Sequence, residues 1–458
     1  MKLHSIFILH KWLGLSLGSI LLLLGLSGFF LNHDGFRLLW DIRISDTFLP
    51  NSISQHKQSG FTSYKIDANN PQHIMAGSRM GLFVSWDGGQ HFQTTLAQQV
   101  LAIEPEQTST QQNFQILYTA TSTGIYRSTD GGMQWQIFAL AGKNVESLTH
   151  FNGQLFAVVD KHDVWQVNTT TQVTQALSLL AIPQAVLPTE ISLGRLVRDL
   201  HYGRGLFDSD LSLYINDASA ILLVFFGVSG WVIFLSIRRI RTKKTVNRPR
   251  FKIWVKTHSH GIMLWTILPI LLLLVTGIFL DHSKAFQSVL NQTKLNTAYL
   301  PPVYRSLQHD IWGFDFDGTH YRLGNRLGVF KSTDLQHWSL DSAGFAYQLK
   351  RVGSQLVVCG MGAPSRVLTA TGWQVLSNAP HMPRDVYQQQ GAWHYLNMHD
   401  HSTLLPTTNS TPLYWVLLGL HDGSLLAEQW VWVNDAAVLA ALLLFITGFI
   451  KWRRKHTR

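Results

Sequence analysis

The chain has 458 residues and a formal net charge of +10, with 14% charged residues against 46% hydrophobic ones. That balance excludes a disordered chain and leaves room for several long apolar segments. The single cysteine, Cys359, excludes an intrachain disulfide, and no Cys-x-x-Cys-His run is present for covalent c-type haem attachment.

In chain order the apolar runs are Trp12 to Leu31, Ala218 to Ile237, Ile262 to Leu280 and Val433 to Ile450. Each has about 20 residues, enough to cross roughly 30 Å of hydrocarbon as a helix. The first is too long for a signal peptide, and no small-x-small cleavage site follows Gly28, so it reads as a retained anchor. Between the second and third runs stand Arg238, Arg239, Arg241, Lys243, Lys244, Arg248, Arg250, Lys252 and Lys256 without an acid, and Lys451, Arg453, Arg454, Lys455 and Arg458 follow the fourth. By the positive-inside rule both stretches are cytoplasmic, as are both termini. The excess positive charge therefore reports topology and not nucleic-acid binding; attraction of the 238–256 loop to anionic lipid is a secondary reading. The expected plan is 1–33 for the N-terminus and first span, 34–213 for an outer β-rich insertion, 214–237 for the second span and 238–257 for a basic cytoplasmic loop. The third span (258–282), a second outer β-rich insertion (283–430) and the fourth span with its basic tail (431–458) complete it.

The two halves repeat. Leu26-Ser-Gly28-Phe-Phe-Leu-Asn-His33 matches Val275-Thr-Gly277-Ile-Phe-Leu-Asp-His282; Leu200-His201-Tyr-Gly203 matches Leu420-His421-Asp-Gly423; Ile215-Asn-Asp-Ala218 matches Val433-Asn-Asp-Ala436. Gly230-Trp231 and Gly448-Phe-Ile-Lys-Trp452 close the pattern. Two halves of one orientation imply a pseudo-two-fold axis along the membrane normal. The expected fold is thus mixed: a four-helix transmembrane bundle from two parallel repeats, carrying an all-β, propeller-like periplasmic region.

The insertions have their own signature. Ser85-Trp-Asp87-Gly-Gly89-Gln-His-Phe92 and Ser128-Thr-Asp130-Gly-Gly132-Met-Gln-Trp135 are Asp-boxes starting 43 residues apart, near the length of a propeller blade, and Ser332-Thr-Asp334-Leu-Gln-His-Trp338 is a third without the glycine. In this hairpin turn the aspartate accepts backbone N–H groups and glycine supplies positive φ. Further strand-like stretches at 153–167, 355–358, 373–375 and 392–396 indicate about three blade-like units in the first insertion and two or three in the second. One joint propeller and two separate β-domains both fit. Asp-boxes also occur in glycosidases, but no acid pair or arginine cluster supports hydrolysis here.

Histidines recur at matched positions. His10 and His33 bracket the first span, about 35 Å apart at helical rise, and so belong to opposite faces. His258 or His260 joins His10 on the inner face, while His33, His201, His282 and His421 gather on the outer one. Histidine is costly in a bilayer unless it binds something, and facing imidazoles in an apolar bundle suit b-type haem. Zinc fits less well, since the matched positions bring no cysteine and few acids, Asp34 and Asp281 among them. Gly14, Gly18 and Gly28 share the His10 face, admitting either a macrocycle or a packed helix, and Pro269 reads as a kink. His394, His399 and His401 with Met398 and Asp400 read as a solvated loop before a metal or copper site.

The His10-Lys-Trp-Leu-Gly14-Leu opening, the Ser27-Gly28…Asn32-His33 helix end, the Leu-His-x-Gly motifs at 201 and 421 and the four-span plan resemble the PepSY-associated transmembrane proteins, an iron-regulated inner-membrane group that includes siderophore reductases. The resemblance covers the membrane half; no PepSY domain is recognisable in the insertions. It implies two b-type haems in a bacterial inner-membrane protein, taking electrons from a cytoplasmic or membrane donor to ferric siderophore or another periplasmic acceptor. By motif position His10, His33, His201, His282 and His421 inherit the ligand role, with the second inner ligand open between His258 and His260. Outer pairing is either within each half, His33 with His201 and His282 with His421, or across the pseudo-axis. Arg195, Arg198 and Arg204 flank His201 as candidate partners of haem propionates. The competing class is a non-enzymatic membrane-anchored propeller that binds a partner or senses the envelope.

Overall fold

The computed structural model describes residues 3–53, 60–107, 112–242, 248–261, 265–307, 310–380, 382–389, 391–397 and 403–456. The first apolar run forms two helices, α1 (Leu3–Leu15) and α2 (Leu17–Leu31), bent by 42° at Ser16. Glycines 14 and 18 flank that break and the Ser16 hydroxyl bonds the Trp12 carbonyl at 2.7 Å, a common way for a Gly/Ser stretch to bend a helix. The outer insertion ends in a short helix, α3 (Leu193–His201), before α4 (Leu211–Arg241), which is long and apolar enough to cross a membrane.

The basic stretch is largely helical instead of a loop: α4 runs on to Arg241 and α5 spans Arg248–His258. Next comes α6 (Ile267–Asp281), apolar but 15 residues long, shorter than the expected Ile262–Leu280. Pro269 does not kink it. It lies in the first turn, where the missing N–H would have had little to bond and the fixed φ is already helical. The last helices are α7 (Leu413–His421) and α8 (Val431–His456), and α8 is also of membrane-spanning length. Helices α2, α4, α6 and α8 share one apolar cluster built on Leu21, Leu223, Ile270, Leu274, Ala437 and Ala441. Gly25 lets α2 and α4 approach each other closely, since a Cβ there would lie 2.8 Å from the Ala220 carbonyl oxygen.

Between the helices the described residues form five four-stranded antiparallel sheets, covering residues 61–96, 100–139, 145–176, 313–343 and 346–375, and a two-stranded hairpin at 385–396. The first strand of each packs on the first strand of the next, and the hairpin packs back on the 61–96 sheet, so the two insertions close into one ring of six blades, three from each. Side chains seal both junctions between the halves. Thr149 donates to the Phe314 carbonyl at 2.9 Å, and Asp385 accepts from the Ser63 hydroxyl at 2.8 Å and the Tyr64 N–H at 2.9 Å. Cys359 is fully buried in blade 5, and burial pushes its thiol pKa up, leaving it a packing residue.

The Asp-boxes are the turns between third and fourth strands of blades 1, 2 and 4. In the second, Asp130 Oδ1 accepts from the Ser128 hydroxyl at 2.7 Å and from the N–H groups of Met133 and Gln134 at 3.0 Å, while Gly131 and Gly132 take φ of 73° and 91°. The third box puts Leu335 at φ 64° in place of the absent glycine. Burial opposes the charge on Asp130, but these bonds prevail and hold its carboxyl below the ordinary range. Its contribution is therefore present above about pH 4 and is lost as pH falls through the depressed value. Asp130→Ala should lower propeller stability by about 1–2 kcal/mol at pH 7 and by progressively less in acid, as followed by thermal unfolding; an equal loss at every pH would refute this role.

Two small sheets join ring to helices. Arg43–Ser45, beyond α2, pairs with Ser410–Pro412, ahead of α7; Glu190–Ser192, ahead of α3, pairs with Lys294–Asn296, beyond α6. Each repeat's exit strand thus pairs with the other repeat's entry strand. As a result α3 of the first half lies on α6 of the second, and α7 of the second lies on α2 of the first.

Candidate functional site

The Leu-His-x-Gly motifs end α3 and α7. In each the histidine is the last helical residue, and the glycine two later takes positive φ, 66° at Gly203 and 82° at Gly423, which stops the helix. Because of the exchange between repeats, His201 is delivered to the third apolar segment and His421 to the first. Their rings face each other across the pseudo-axis with centroids 6.3 Å apart, tilted by 54°.

A hydroxyl anchors each imidazole. His201 Nδ1 lies 3.2 Å from Thr276 Oγ1, and His421 Nδ1 lies 2.9 Å from Ser27 Oγ. Both hydroxyls already donate their single hydrogen to a carbonyl one turn back, Leu272 and Leu23, each at 2.7 Å. They must therefore accept from the imidazole, which fixes the hydrogen on Nδ1 and leaves the Nε2 lone pair available. The residue after each hydroxyl is glycine: a Cβ on Gly28 would crowd His421 Cε1 at 3.1 Å, and one on Gly277 would touch His201 Cε1 at 3.4 Å.

The inner pair repeats the device. His10 Nδ1 is 2.8 Å from Thr447 Oγ1, and His258 Nδ1 is 2.6 Å from Ser229 Oγ, with His10 within electrostatic reach of His258. The choice between His258 and His260 is thereby narrowed: His258 ends α5 against Ser229, whereas His260 lies past the helix end and is exposed. Ser27-Gly28, Ser229-Gly230, Thr276-Gly277 and Thr447-Gly448 thus form one hydroxyl-glycine motif used four times. The duplicated sequence carried it, but the repeat alone does not tell an anchoring hydroxyl from a packing one.

His33 and His282 stand apart from the facing pair. His33 Nε2 contacts Asp217 Oδ2 at 3.0 Å and His282 Nε2 contacts Asp435 Oδ2 at 2.7 Å, while Phe36 stacks on His33 and Trp432 lies against His282. The repeated Asn-Asp dipeptide explains itself here. Its aspartates hold His33 and His282, and its asparagines hold the other two, Asn216 donating to the His201 carbonyl at 2.9 Å and Asn434 to the His421 carbonyl at 3.1 Å. Neither within-half pairing is brought face to face.

Of the flanking arginines, Arg195 is engaged by Asp199 and lies over Phe345, Arg204 lies over Trp312, and Arg198 packs beside Gly362. His394 stacks on Tyr387, and the Met398, His399, Asp400 and His401 reading falls outside the described residues. Gly14 sits against Leu444 and Gly18 against the Leu13 carbonyl of α1, so Gly28 is the member of that stripe that approaches a histidine. No group of three or more His, Cys, Asp or Glu side chains suited to a metal ion occurs among the described residues.

Comparison with known proteins gives one family. The model of the PepSY-associated TM region matches residues 7–455. No curated protein matches the chain. Among solved structures, an ancestral GH74 enzyme shares 10% identity at a TM-score of 0.34, over 72% of this chain and 32% of its own. This chain therefore spans about a third of that enzyme's length. A structural-genomics protein from Bacteroides thetaiotaomicron VPI-5482 shares 9% at 0.35, over 73% and 66%, and the β-propeller domain of Myceliophteria thermophila Cps50 (Swd1) shares 10% at 0.31, over 70% and 69%. With scores this low, the blade assignment rests on strand order and ring closure.

Proposed function

The chain belongs to the PepSY-associated transmembrane family, and from that footing we propose that it is a b-type haem oxidoreductase of the bacterial inner membrane. It passes electrons from a cytoplasmic or membrane donor to a periplasmic acceptor, ferric siderophore iron being the one its family resemblance suggests. The observation that carries this reading is the His201–His421 pair. The two rings come from different repeats and stand 6.3 Å apart, and together they would hold the iron of one b-type haem. Their tautomer leaves Nε2 free to serve as the ligand atom.

His201 and His421 would hold an outer haem, and His10 with His258 an inner one. When bound, haem supplies one-electron cycling between ferric and ferrous iron. The chain's own residues orient the rings. Ser27, Thr276, Ser229 and Thr447 fix Nδ1, and Asn216 and Asn434 fix the helix ends that carry the outer pair. His33 and His282, whose Nε2 atoms meet Asp217 and Asp435, are not ligands in this reading. In this reading α2 (with α1), α4, α6 and α8 cross the membrane, both termini are cytoplasmic and the propeller is periplasmic. An electron leaving a negative interior then gains about 2.3 kcal/mol per 100 mV. Ferrous iron, a weaker acid than ferric, is held less firmly by hard oxygen chelators, which favours release at the outer face.

The protein purified from haem-sufficient cells is expected to be red, with two b haems per chain by pyridine haemochrome assay and a sharpened α band on reduction. Colourless, folded protein would overturn the oxidoreductase reading in favour of a membrane-anchored binding propeller.

A further inference from the structure

The turns between second and third strands of blades 1, 3, 4 and 5 lie toward the helix ends, and they border a strongly positive space. Asp34, directly after His33, keeps 51% of its side chain accessible although blade turns and helix ends surround it, so the space is not filled by protein. Its partner is Arg79 from blade 1, at 2.9 Å. Burial works against the Asp34 carboxylate, yet Arg79, Lys161, Arg204 and Arg384 all act on it and hold its pKa below the ordinary value, which places four cations around one acid.

Three of those cations have no carboxylate partner among the described residues. Lys161 and Arg204 lie over the same Trp312 ring, at 4.2 and 5.1 Å from its centroid. Arg384 lies over Tyr347 and bonds its hydroxyl, while the Arg384 Nε is buried with no hydrogen-bond partner. The acids nearby are committed elsewhere: Asp310 to Arg326 at 2.6 Å, and Asp199 to Arg195. The space also borders the outer histidines, since Tyr202, whose ring is 5.8 Å from that of His201, acts on Tyr414 together with Asp34, Arg79 and Arg384.

We infer that this vestibule is the acceptor site, and that it selects a multiply anionic metal chelate over a neutral one, a tris-catecholate being the simplest. The inference deepens the proposed reductase and rests on it for the fate of the ligand. Three uncompensated cations between low-dielectric protein walls focus potential on a polyanion. A neutral chelate of the same size does not gain this attraction, and an additional cation is repelled.

Redox-inert gallium chelates separate binding from reduction. In calorimetric titration of the full-length protein in detergent, gallium tris-catecholate should bind at least tenfold tighter than neutral gallium tris-hydroxamate, and less tightly as salt rises. Lys161→Gln combined with Arg384→Gln should weaken the anionic chelate tenfold or more and leave the neutral one unchanged. Lys161→Gln alone, on a side chain at the propeller surface, should give a smaller loss in the same direction if the double variant fails to fold. Equal affinities for the two chelates, or undiminished binding in folded variants, would overturn the inference. So would variants that alter the haem spectrum while chelate binding stays constant, because the cations would then serve haem propionates. Tight anionic binding with no reduction of the ferric counterpart by dithionite-reduced protein would support the vestibule and sink the reductase reading.

Discussion

Alanine at His201 or at His421 should each remove the same single haem, leaving the other in place, whereas alanine at His33 or His282 should leave both haems six-coordinate. The expectation follows from where the nitrogens point. The facing pair have Nδ1 consumed by hydroxyls that can only accept, so Nε2 is free to ligate. His33 and His282 instead direct Nε2 at aspartates. Removing a ligand by His421→Ala also opens space beside Gly28, so haem content, visible spectra and folding should be read together. Ser27→Ala is the gentler companion: it keeps the ligand but removes the group that orients it, and should weaken haem retention by about 10–100-fold. Loss of the outer spectrum in His33→Ala or His282→Ala, with retention in His201→Ala, would show that the facing pair is not the ligand set.

The largest stability loss is expected at Asp385. It is fully buried on the first strand of blade 6, accepts from Ser63 and Tyr64 of blade 1, and so closes the ring between the chain's two insertions. Burial raises its pKa, but Lys65 and Lys350 together with the bonds from Tyr64 and Ser63 outweigh that and hold the carboxyl below the ordinary range. Both lysines are buried, and the Lys350 Nζ has no hydrogen-bond partner. Asp385→Ala would remove one of the two buried acids that face these cations, leaving Glu104, and would also strip the Ser63 and Tyr64 donors of their acceptor; it should cost about 3–5 kcal/mol, measured by denaturant unfolding of the propeller. Since the described part of blade 6 has two strands, little backbone pairing is there to compensate. A loss below about 1 kcal/mol would mean that the ring is closed by other contacts.

The sequence was most informative where physics is local. Hydropathy located the four apolar runs, because twenty apolar residues stand out without tertiary context; the Ser16 break and the late start of α6 at Thr266 depend on single backbone groups that hydropathy averages away. Glycine and aspartate in the Asp-boxes marked three turns, and even the glycine-free one forms, with Leu335 forced into the left-handed region. Ring closure was hidden, since it turns on Ser63 meeting Asp385 across a separation of 322 residues. The histidines were visible as a repeated set, yet their grouping was not. Glycine spacing left the choice between His258 and His260 open, and what separates them is tertiary: the Ser229 hydroxyl on a different helix meets His258.

The crossed strands and helices also bear on ancestry. Each half grips an imidazole supplied by its twin, which is what two identical subunits make when they associate through a self-complementary contact about a two-fold axis. A single-repeat forebear would have been complete only as a homodimer, and gene fusion would have turned that association into one polypeptide. Substitutions on either side are then coupled: a change that moves the Ser27 hydroxyl is felt at His421, so the two copies can drift only in step.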